Sequence, residues 1–509
     1  MSIVTYIFLL PLLAALLILL IPRNFRFVIR SMALLAAFIS LVLAVVMFCQ
    51  FDAAKAADGF QFEQTNEWAP ALGSSFHIGV DGINLGLILM GAVVVFAAVC
   101  VSDRIKEREK EFYILLLLMG GGILGAFASL DLFFFYFFHE LALVPTFIMI
   151  GVWGRGENKN FAAFQITLYL SLGALLVLLG LLALYLQLPP PERTLDIVKL
   201  THYLKLHPMP AAPQRLIFPA LLFGFGILVS LWPFHTWAPL GYGSAPTPTA
   251  MIHAGVLKKF GLYGLIRIAL PLLPDEAQRW ANIISVLCLG NILYCGLVAM
   301  RQRDLNLLIG NSSVAHMGFA FLGIASLGII GITGTVVIMV AHGFLAALTF
   351  SLSGYLRDEV KTVDMDQMGG LLRKLPFIGT VMIMAMLAGC GLPGFAGFPG
   401  EVLVLFGSWQ RSEVVTGLAV WGALVIAGVY MLRGIRDVWH GNKEWTGISD
   451  AATFWRKVPY ALLLLSLIIF GCFPRLLTDN IRASVAPVVR MVGAEAIEVA
   501  PVPKRHSTR

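Results

Sequence analysis

Long runs of apolar residues, interrupted by short polar segments, fill most of the 509-residue chain. A membrane-spanning helix needs about 20 apolar residues, and continuous runs of this length favour helices over the weak alternation of a membrane β-barrel. The first run lacks a preceding basic segment and a cleavage site, so we interpret it as a retained span. The pattern predicts an all-α polytopic membrane protein with about 14 transmembrane helices, at residues 3–22, 29–49, 80–101, 111–129, 131–152, 162–186, 216–238, 247–270, 280–300, 305–325, 328–354, 375–407, 413–432 and 458–476.

The seventh and twelfth predicted helices contain proline and glycine clusters, Pro233–Pro239 and Gly391–Gly394. Proline removes a backbone donor and clashes with the preceding turn, so both helices are expected to break. The breaks are five spans apart, which predicts two inverted five-helix repeats, a transporter architecture with its working site near the membrane midplane. The predicted organisation is helices 1–3 in residues 1–110, a first repeat of helices 4–8 in 111–270, a second repeat of helices 9–13 in 280–435, and helix 14 with a C-terminal tail in 458–509.

The composition supports a membrane protein, with 59% hydrophobic and 13% charged residues and a mean hydropathy of +0.85. Soluble chains are nearer half apolar and about a quarter charged, so an ordinary soluble enzyme and a disordered protein are both excluded. The six cysteines are scattered singly without a CxxC pair. Neither a disulfide framework nor a zinc or iron–sulfur site is therefore expected.

The net charge of +7 comes largely from alternate loops, near residues 23–30, 104–110, 155–159, 301–303, 357–374 and 433–457. Basic loops face the cytoplasm, so this distribution explains the charge without nucleic acid and predicts that both termini lie on the outer side of a bacterial inner membrane. Residues 50–77, with four carboxylates at Asp52, Asp58, Glu63 and Glu67, are interpreted as an outer loop. The tail, residues 477–509, is expected to be partly disordered.

Ionisable residues inside the predicted spans are the functional candidates, because a charge at the bilayer centre is costly. Burial disfavours the charged forms of carboxyl and amine groups alike, so a buried line of Glu, Lys and His can load and release protons. For the carboxylates the alternative is a role in tying helices together, and for the histidines it is a hydrogen-bonded core position. The candidates are Glu140, His235, His253, Lys258, Lys259, His316, His342 and Glu401.

Four of the polar residues need separate interpretations. Lys258 and Lys259 are adjacent and so point about 100° apart on a helix; one is expected to face the interior and the other a loop or headgroup. Asp81 precedes a predicted helix and is interpreted as its cap. For His235 a structural role at the break is favoured. The chain contains no P-loop, GxSxG or HExxH motif, so hydrolysis is not indicated.

Taken together, these residues resemble the M-type antiporter-like membrane subunits of respiratory NADH–quinone oxidoreductase (complex I). The resemblance covers essentially the whole chain, and it implies that Glu140 is the acid of span five, Lys259 the central lysine of span eight and Glu401 the exit-side group of span twelve. A glutamate at the last position is similar to the M type, whereas the L and N types carry lysine there. The matching segments are residues 80–82, 133–145, 233–237, 245–247, 254–267, 312–318, 341–343, 368–371 and 391–401.

The chain departs from the family pattern in its first half. The lysine expected five residues before Pro233 is Leu228, the basic residue of span six is Gln165, a lysine before span ten is Asn306, and the aspartate after the first break is absent. An unpaired buried carboxylate is costly to ionise. We therefore predict that Glu140 is protonated at pH 7 or paired with a new partner such as His139 or His253.

The resemblance implies a proton channel that is driven by quinone reduction elsewhere in the complex and has no redox centre of its own. NADH, flavin, iron–sulfur clusters and quinone are expected in partner subunits, and the partners are expected to be the L-type and N-type membrane subunits and lipid. One alternative is a subunit of a cation/proton antiporter or a hydrogenase-type complex. Another is a structural paralogue with an impaired first half-channel, which the loss of lysine at Leu228 favours.

Overall fold

The computed structural model describes residues 1–56 and 59–493 as a mostly helical bundle, which confirms the predicted fold class. Within these residues, twelve helices are long and apolar enough to cross a membrane. The number fourteen, the inverted repeats and the four predicted regions stay predictions. The helices are α1 Ile3–Leu20, α2 Arg26–Gln50, α3 Gly82–Cys100, α4 Glu109–Ala128, α5 Leu132–Trp153, α6 Lys159–Leu186, α7 Ile197–Leu206, α8 Ala211–Val229, α9 Trp237–Ser244, α10 Thr247–Ile252, α11 Lys259–Gly264, α12 Leu270–Leu272, α13 Pro274–Leu289, α14 Gly296–Arg301, α15 Leu305–Ala325, α16 Ile329–Val360, α17 Pro376–Gly389, α18 Gly397–Trp409, α19 Glu413–Trp421, α20 Ala427–Trp439, α21 Phe454–Cys472 and α22 Arg475–Met491.

Both predicted helix breaks are present. The first lies between α8 and α9, where Ser230 ends α8 with a positive φ of 73°. The second lies between α17 and α18 and contains Gly391 and Gly394, with φ of 71° and 99°. Gly391 and Gly394 have the positive φ that glycine adopts without steric cost.

Short π-helical turns join several helices into longer runs. The turn at His253–Leu257 connects α10 to α11, and a second at Leu265–Ala269 connects α11 to α12. Two more π turns, at 290–295 and 422–426, interrupt the later spans. A π turn rotates the side chains that follow it relative to an ideal helix, and such turns are frequent at functional sites.

Residues 61–80 form a β hairpin, which the interpretation of residues 50–77 as an outer loop did not predict. The strands β1 (Gln61–Ala69) and β2 (Ser74–Val80) pair antiparallel. His77 on β2 is buried, with Nδ1 2.8 Å from Asp196 Oδ2 and Nε2 2.6 Å from Glu63 Oε1. Burial opposes protonation, but the two carboxylates together outweigh it and raise the pKa of His77. This contact fastens the hairpin to the start of α7.

Within the tail that was expected to be partly disordered, residues 477–509, the first part is helical as far as Met491. Helix α22 docks against α3, where Gly82 N donates to Ser484 Oγ at 2.9 Å. Its buried residues recur at helical spacing, which is the signal that sequence reasoning missed; they are Leu477, Ile481, Ser484, Val485, Val488 and Val489. The rest of the predicted tail, 494–509, and Asp58 lie outside the described residues.

Loops that were predicted to share a side contact one another. At the basic end, Arg104 lies 3.0 Å from Glu359, and Arg155 lies 3.2 Å from Asp358. At the opposite end, Ser2 N donates to Gln64 of the hairpin at 2.8 Å. Each of these contacts joins segments that were predicted to lie on the same side.

Candidate functional site

Lys259 and His342 form the centre of the site. Lys259 is 0% exposed, and its Nζ lies 2.7 Å from Nδ1 of His342 on α16. The same amine donates to the carbonyl of Ala254 at 2.6 Å. An ammonium donates to Nδ1, whereas a neutral amine accepts from an Nδ1–H. The pair is thus placed for direct proton exchange.

His316 on α15 continues this line. Its ring centroid is 5.8 Å from that of His342. Its Nδ1 lies 3.3 Å from Ser312 Oγ and 2.8 Å from Ser312 O, so a neutral ring can accept from the hydroxyl and a protonated ring can donate to the carbonyl. On the other side, Nε2 lies 3.2 Å from the carbonyl of Gly389. The surroundings of His316 therefore accommodate both of its protonation states.

Glu401 ends the line at the second helix break. Its Oε1 is 3.9 Å from His316 Nε2, and its side chain is 13% exposed. A cavity of about 10 Å³ is lined by Glu401, His316 and His342, which is about the space that one water molecule needs. A single water in this cavity would join the three side chains.

Glycines explain how Glu401 reaches this position. A Cβ on Gly391 would lie 2.5 Å from Glu401 Oε2, so only glycine leaves room for the carboxylate. A Cβ on Gly334 of α16 would lie 2.7 Å from Val404 N, and one on Gly400 would lie 3.0 Å from Ile338 N. Helices α16 and α18 therefore approach at backbone distance, which fixes the carboxylate beside the histidines.

Lys258 and Lys259 are both buried, with 1% and 0% exposure. The expectation that one of them faces a loop or headgroup is therefore wrong. Lys258 Nζ donates to Ser313 Oγ at 3.2 Å and lies 5.5 Å from the ring centre of Tyr242. The physical reason is that the segment holding both lysines runs through the middle of the bundle. Their side chains point about 100° apart, so Lys258 meets α15 and Lys259 meets α16.

Glu140 lies apart from this group, on a face of α5 whose neighbours Phe133 and Phe137 are exposed. Its side chain is 31% exposed, and its Oε1 lies 3.6 Å from Nδ1 of the buried His139. His139 is thus the partner that the structure offers of the two suggested by the sequence. The charge state of Glu140 stays a prediction.

The remaining candidates and departures lie around the first break. His253 stacks on Trp237, with 5.5 Å between ring centroids, and His235 lies within the break, edge-on to Tyr294. Leu228 is buried in α8. Gln165 donates to Thr236 Oγ1 at 3.1 Å, and Asn306 accepts from Ser353 at 2.6 Å. The structure therefore brings Lys259, His342, His316 and Glu401 together and leaves His235 outside that line.

Sequence reasoning missed the hydroxyl groups that support the line. Ser312 accepts a hydrogen bond from Tyr430 at 3.2 Å, and Ser313 holds Lys258. The position of Ser312 four residues before His316 was a usable signal, since residues four apart share a helix face. No pattern identified Tyr430, which approaches from α20.

Comparisons with known proteins identify the family and the fold of the chain. Residues 129–427 match the family model described as NADH:quinone oxidoreductase/Mrp antiporter, TM. An NADH-quinone oxidoreductase subunit M from Rickettsia felis is 34% identical over 457 residues, covering 89% of this chain and 90% of the relative. The structure resembles a chain of respiratory complex I from Thermus thermophilus with bound NADH (TM-score 0.86, 26% identity, 96% and 100% coverage). It shares its fold with a chain of the Mrp complex from Dietzia sp. DQ12-45-1b (TM-score 0.82, 18% identity, 97% and 100% coverage).

Proposed function

The chain belongs to the NADH:quinone oxidoreductase/Mrp antiporter transmembrane family, and on this basis we propose that it is the M-type, proton-translocating membrane subunit of a respiratory NADH–quinone oxidoreductase. Relatives at 33–34% identity that carry the name subunit M, and the likeness to a complex I chain, support this assignment. The redox cofactors of the complex would lie in partner subunits. The residues of this chain would bind, hold and move protons.

One observation carries the proposal: four ionisable side chains, contributed by four helices, form a buried line across the bundle. A proton on Lys259 passes to His342 through their 2.7 Å contact, then to His316, and reaches Glu401 through the small cavity. Glu401 releases it at the second break, where the backbone is interrupted. Lysine and histidine hold the proton in their charged forms, whereas Glu401 holds it in its neutral form. A change of charge elsewhere in the complex shifts the proton affinities of these groups and can therefore drive the transfer in one direction.

The proposed setting is a bacterial inner membrane with both termini on the outer side, as the distribution of basic loops favours. The proposed neighbours are the L-type and N-type subunits and lipid. Large apolar residues on α5, α6 and α19 are exposed in the isolated chain, and they suit such contacts.

The experiment is to purify the assembled complex with Lys259→Met or Glu401→Gln and reconstitute it in vesicles. We expect fewer protons translocated per electron, while NADH–quinone electron transfer in the presence of an uncoupler is retained. Matched controls are Lys199→Met and Glu413→Gln, which neutralise exposed residues of the same types. A proton-to-electron ratio unchanged in both site variants would instead establish a structural paralogue, the candidate that the buried Leu228 favours.

A cation/proton antiporter subunit is a second candidate, since the fold is shared with an Mrp complex chain. It predicts sodium-dependent proton exchange in vesicles that contain neither NADH nor quinone. Proton exchange that occurs only when NADH and quinone are both present would exclude this antiporter candidate.

A further inference from the structure

Two buried histidines lie near the ends of the gap between Glu140 and Lys259: His139 is adjacent to Glu140 in the chain, and His253 precedes Lys259 by one π turn. His139 is on α5, beside Glu140, and its ring stacks on Phe260 with 3.9 Å between centroids. Phe260 directly follows Lys259 in the chain. His139 therefore touches the carboxylate on one side and the lysine-bearing helix on the other.

His253 is the second histidine and begins the π turn that leads to Lys259. Helix α5, which carries His139, packs against this π turn. The Lys259 amine donates to the carbonyl of Ala254, the residue directly after His253. His253 therefore lies where the helix of His139 meets the segment that leads to the central lysine.

Polar atoms in this region lack protein partners. Within residues 1–56 and 59–493, the buried Nδ1 atoms of His139 and His253, Oε1 of Glu140 and the hydroxyl of Tyr242 make no hydrogen bond to protein. On the exit side, Lys259, His342 and His316 all have polar partners within 3.5 Å. Buried polar groups without partners are rare in proteins and call for an explanation; a water-mediated transfer route provides one here.

We propose that His139 and His253 form a histidine relay that carries protons from Glu140 to Lys259, in place of the amine that the chain lacks at Leu228. Glu140 gives its proton to Nδ1 of His139, and the ring releases a proton from Nε2. His253 takes up that proton and passes it to Lys259, so one proton enters and one leaves each group and no electron moves. Imidazole suits this task because one nitrogen can accept while the other donates. The relay rests on the proposed function and adds its input side.

The test is to replace each histidine in the assembled complex in two ways. His139→Phe and His253→Phe keep a ring that can stack on Phe260 or Trp237, while His253→Asn keeps a hydrogen-bonding nitrogen that cannot carry the proton. We expect all three to lower the proton-to-electron ratio as far as Lys259→Met does, with the uncoupled NADH–quinone rate retained. The control is His207→Phe, which replaces an exposed histidine stacked on Tyr203 at the end of α7.

The outcomes separate the relay from the function it serves. If Lys259→Met lowers the ratio and the histidine variants do not, the relay is overturned and the proposed function stands. If His253→Asn retains the full ratio while His253→Phe loses it, His253 acts only as a hydrogen-bonding group, which also overturns the relay. If neither Lys259→Met nor Glu401→Gln lowers the ratio, the proposed function itself fails.

Discussion

The ion pair between Asp81 and Arg267 supports one prediction in depth. Asp81 Oδ1 lies 2.6 Å from Arg267 Nη2, and both side chains are less than 10% exposed. The same carboxylate caps α3 by accepting from Ile83 N and Asn84 N, so the predicted cap is present and has a second role. Asp81→Asn keeps an oxygen that can cap the helix but removes the charge, which isolates the ion pair.

The expected magnitude follows from burial. Removing one partner of a buried pair leaves an uncompensated charge and costs about 3–5 kcal/mol, so Asp81→Asn and Arg267→Met should each lower the free energy of unfolding by this amount. The double variant Asp81→Asn/Arg267→Met leaves no lone charge and should cost less than either single change. Asp81→Ala should cost about 1 kcal/mol more than Asp81→Asn, because it also removes the cap.

The assay is a denaturant titration of the full-length chain in detergent. The unsubstituted chain, Asp81→Asn, Arg267→Met and the double variant form a double-mutant cycle, and Asp81→Ala is measured beside them. Additive losses, in which the double variant is as unstable as the sum of the single variants, would refute the reasoning. They would mean that solvent or other side chains already satisfy both charges. Equal stability of Asp81→Asn and Asp81→Ala would refute the separate contribution of the cap.

Three further predictions concern other parts of the fold. The pKa of His77 is raised, so its contacts with the two carboxylates stabilise the hairpin below the pKa that His77 has in the unfolded chain, and this stability is lost as pH rises through its pKa in the folded chain. Hydrogen exchange of β1 and β2 should therefore speed up with rising pH by more than the intrinsic exchange rate does. His77→Gln should abolish this excess. Gly82→Ala would place a Cβ 1.9 Å from Asn480 O and should displace α22, which limited proteolysis would detect as cleavage within residues 475–491. Gly334→Ala should separate α18 from α16 and lower the proton-to-electron ratio although it removes no ionisable group, whereas Gly417→Ala, which meets nothing within 4 Å, should leave the ratio unchanged.

The sequence predicted the all-helical membrane fold and both helix breaks, because length and apolarity set membrane helices and proline and glycine interrupt them. It did not predict the hairpin or α22. In the hairpin, β1 is largely exposed and β2 largely buried, so no alternation over the whole segment marks it. Helix α22 is amphipathic rather than apolar, and a search for long apolar runs therefore passes over it.

The sequence singled out the candidate site residues, but it did not predict which of them contact one another. The cost of placing Lys259 or Glu401 in a membrane singles them out from sequence alone. Their contacts join residues far apart in the chain, such as Lys259 and His342, which are separated by 83 positions. The π turn before α11 is also invisible in the sequence, although α11 and its neighbours decide where both lysines point.

The two halves of the site differ in what surrounds their polar atoms, and this difference explains their different connectivity. On the exit side, α16 and α18 approach at backbone distance through Gly334 and Gly400, so short contacts between side chains become possible. On the input side, large rings fill the space: Phe135 stacks on Phe260 at 4.3 Å, and His139 stacks on the same ring. Stacked rings make no hydrogen bonds to one another, and Nδ1 of His139 and of His253 have no hydrogen-bond partner among the residues that the structure describes, so a proton must cross a gap between polar groups there. A carrier with two nitrogens on opposite sides of a ring spans more of that gap than a hydroxyl does, which is why histidine fits the input side.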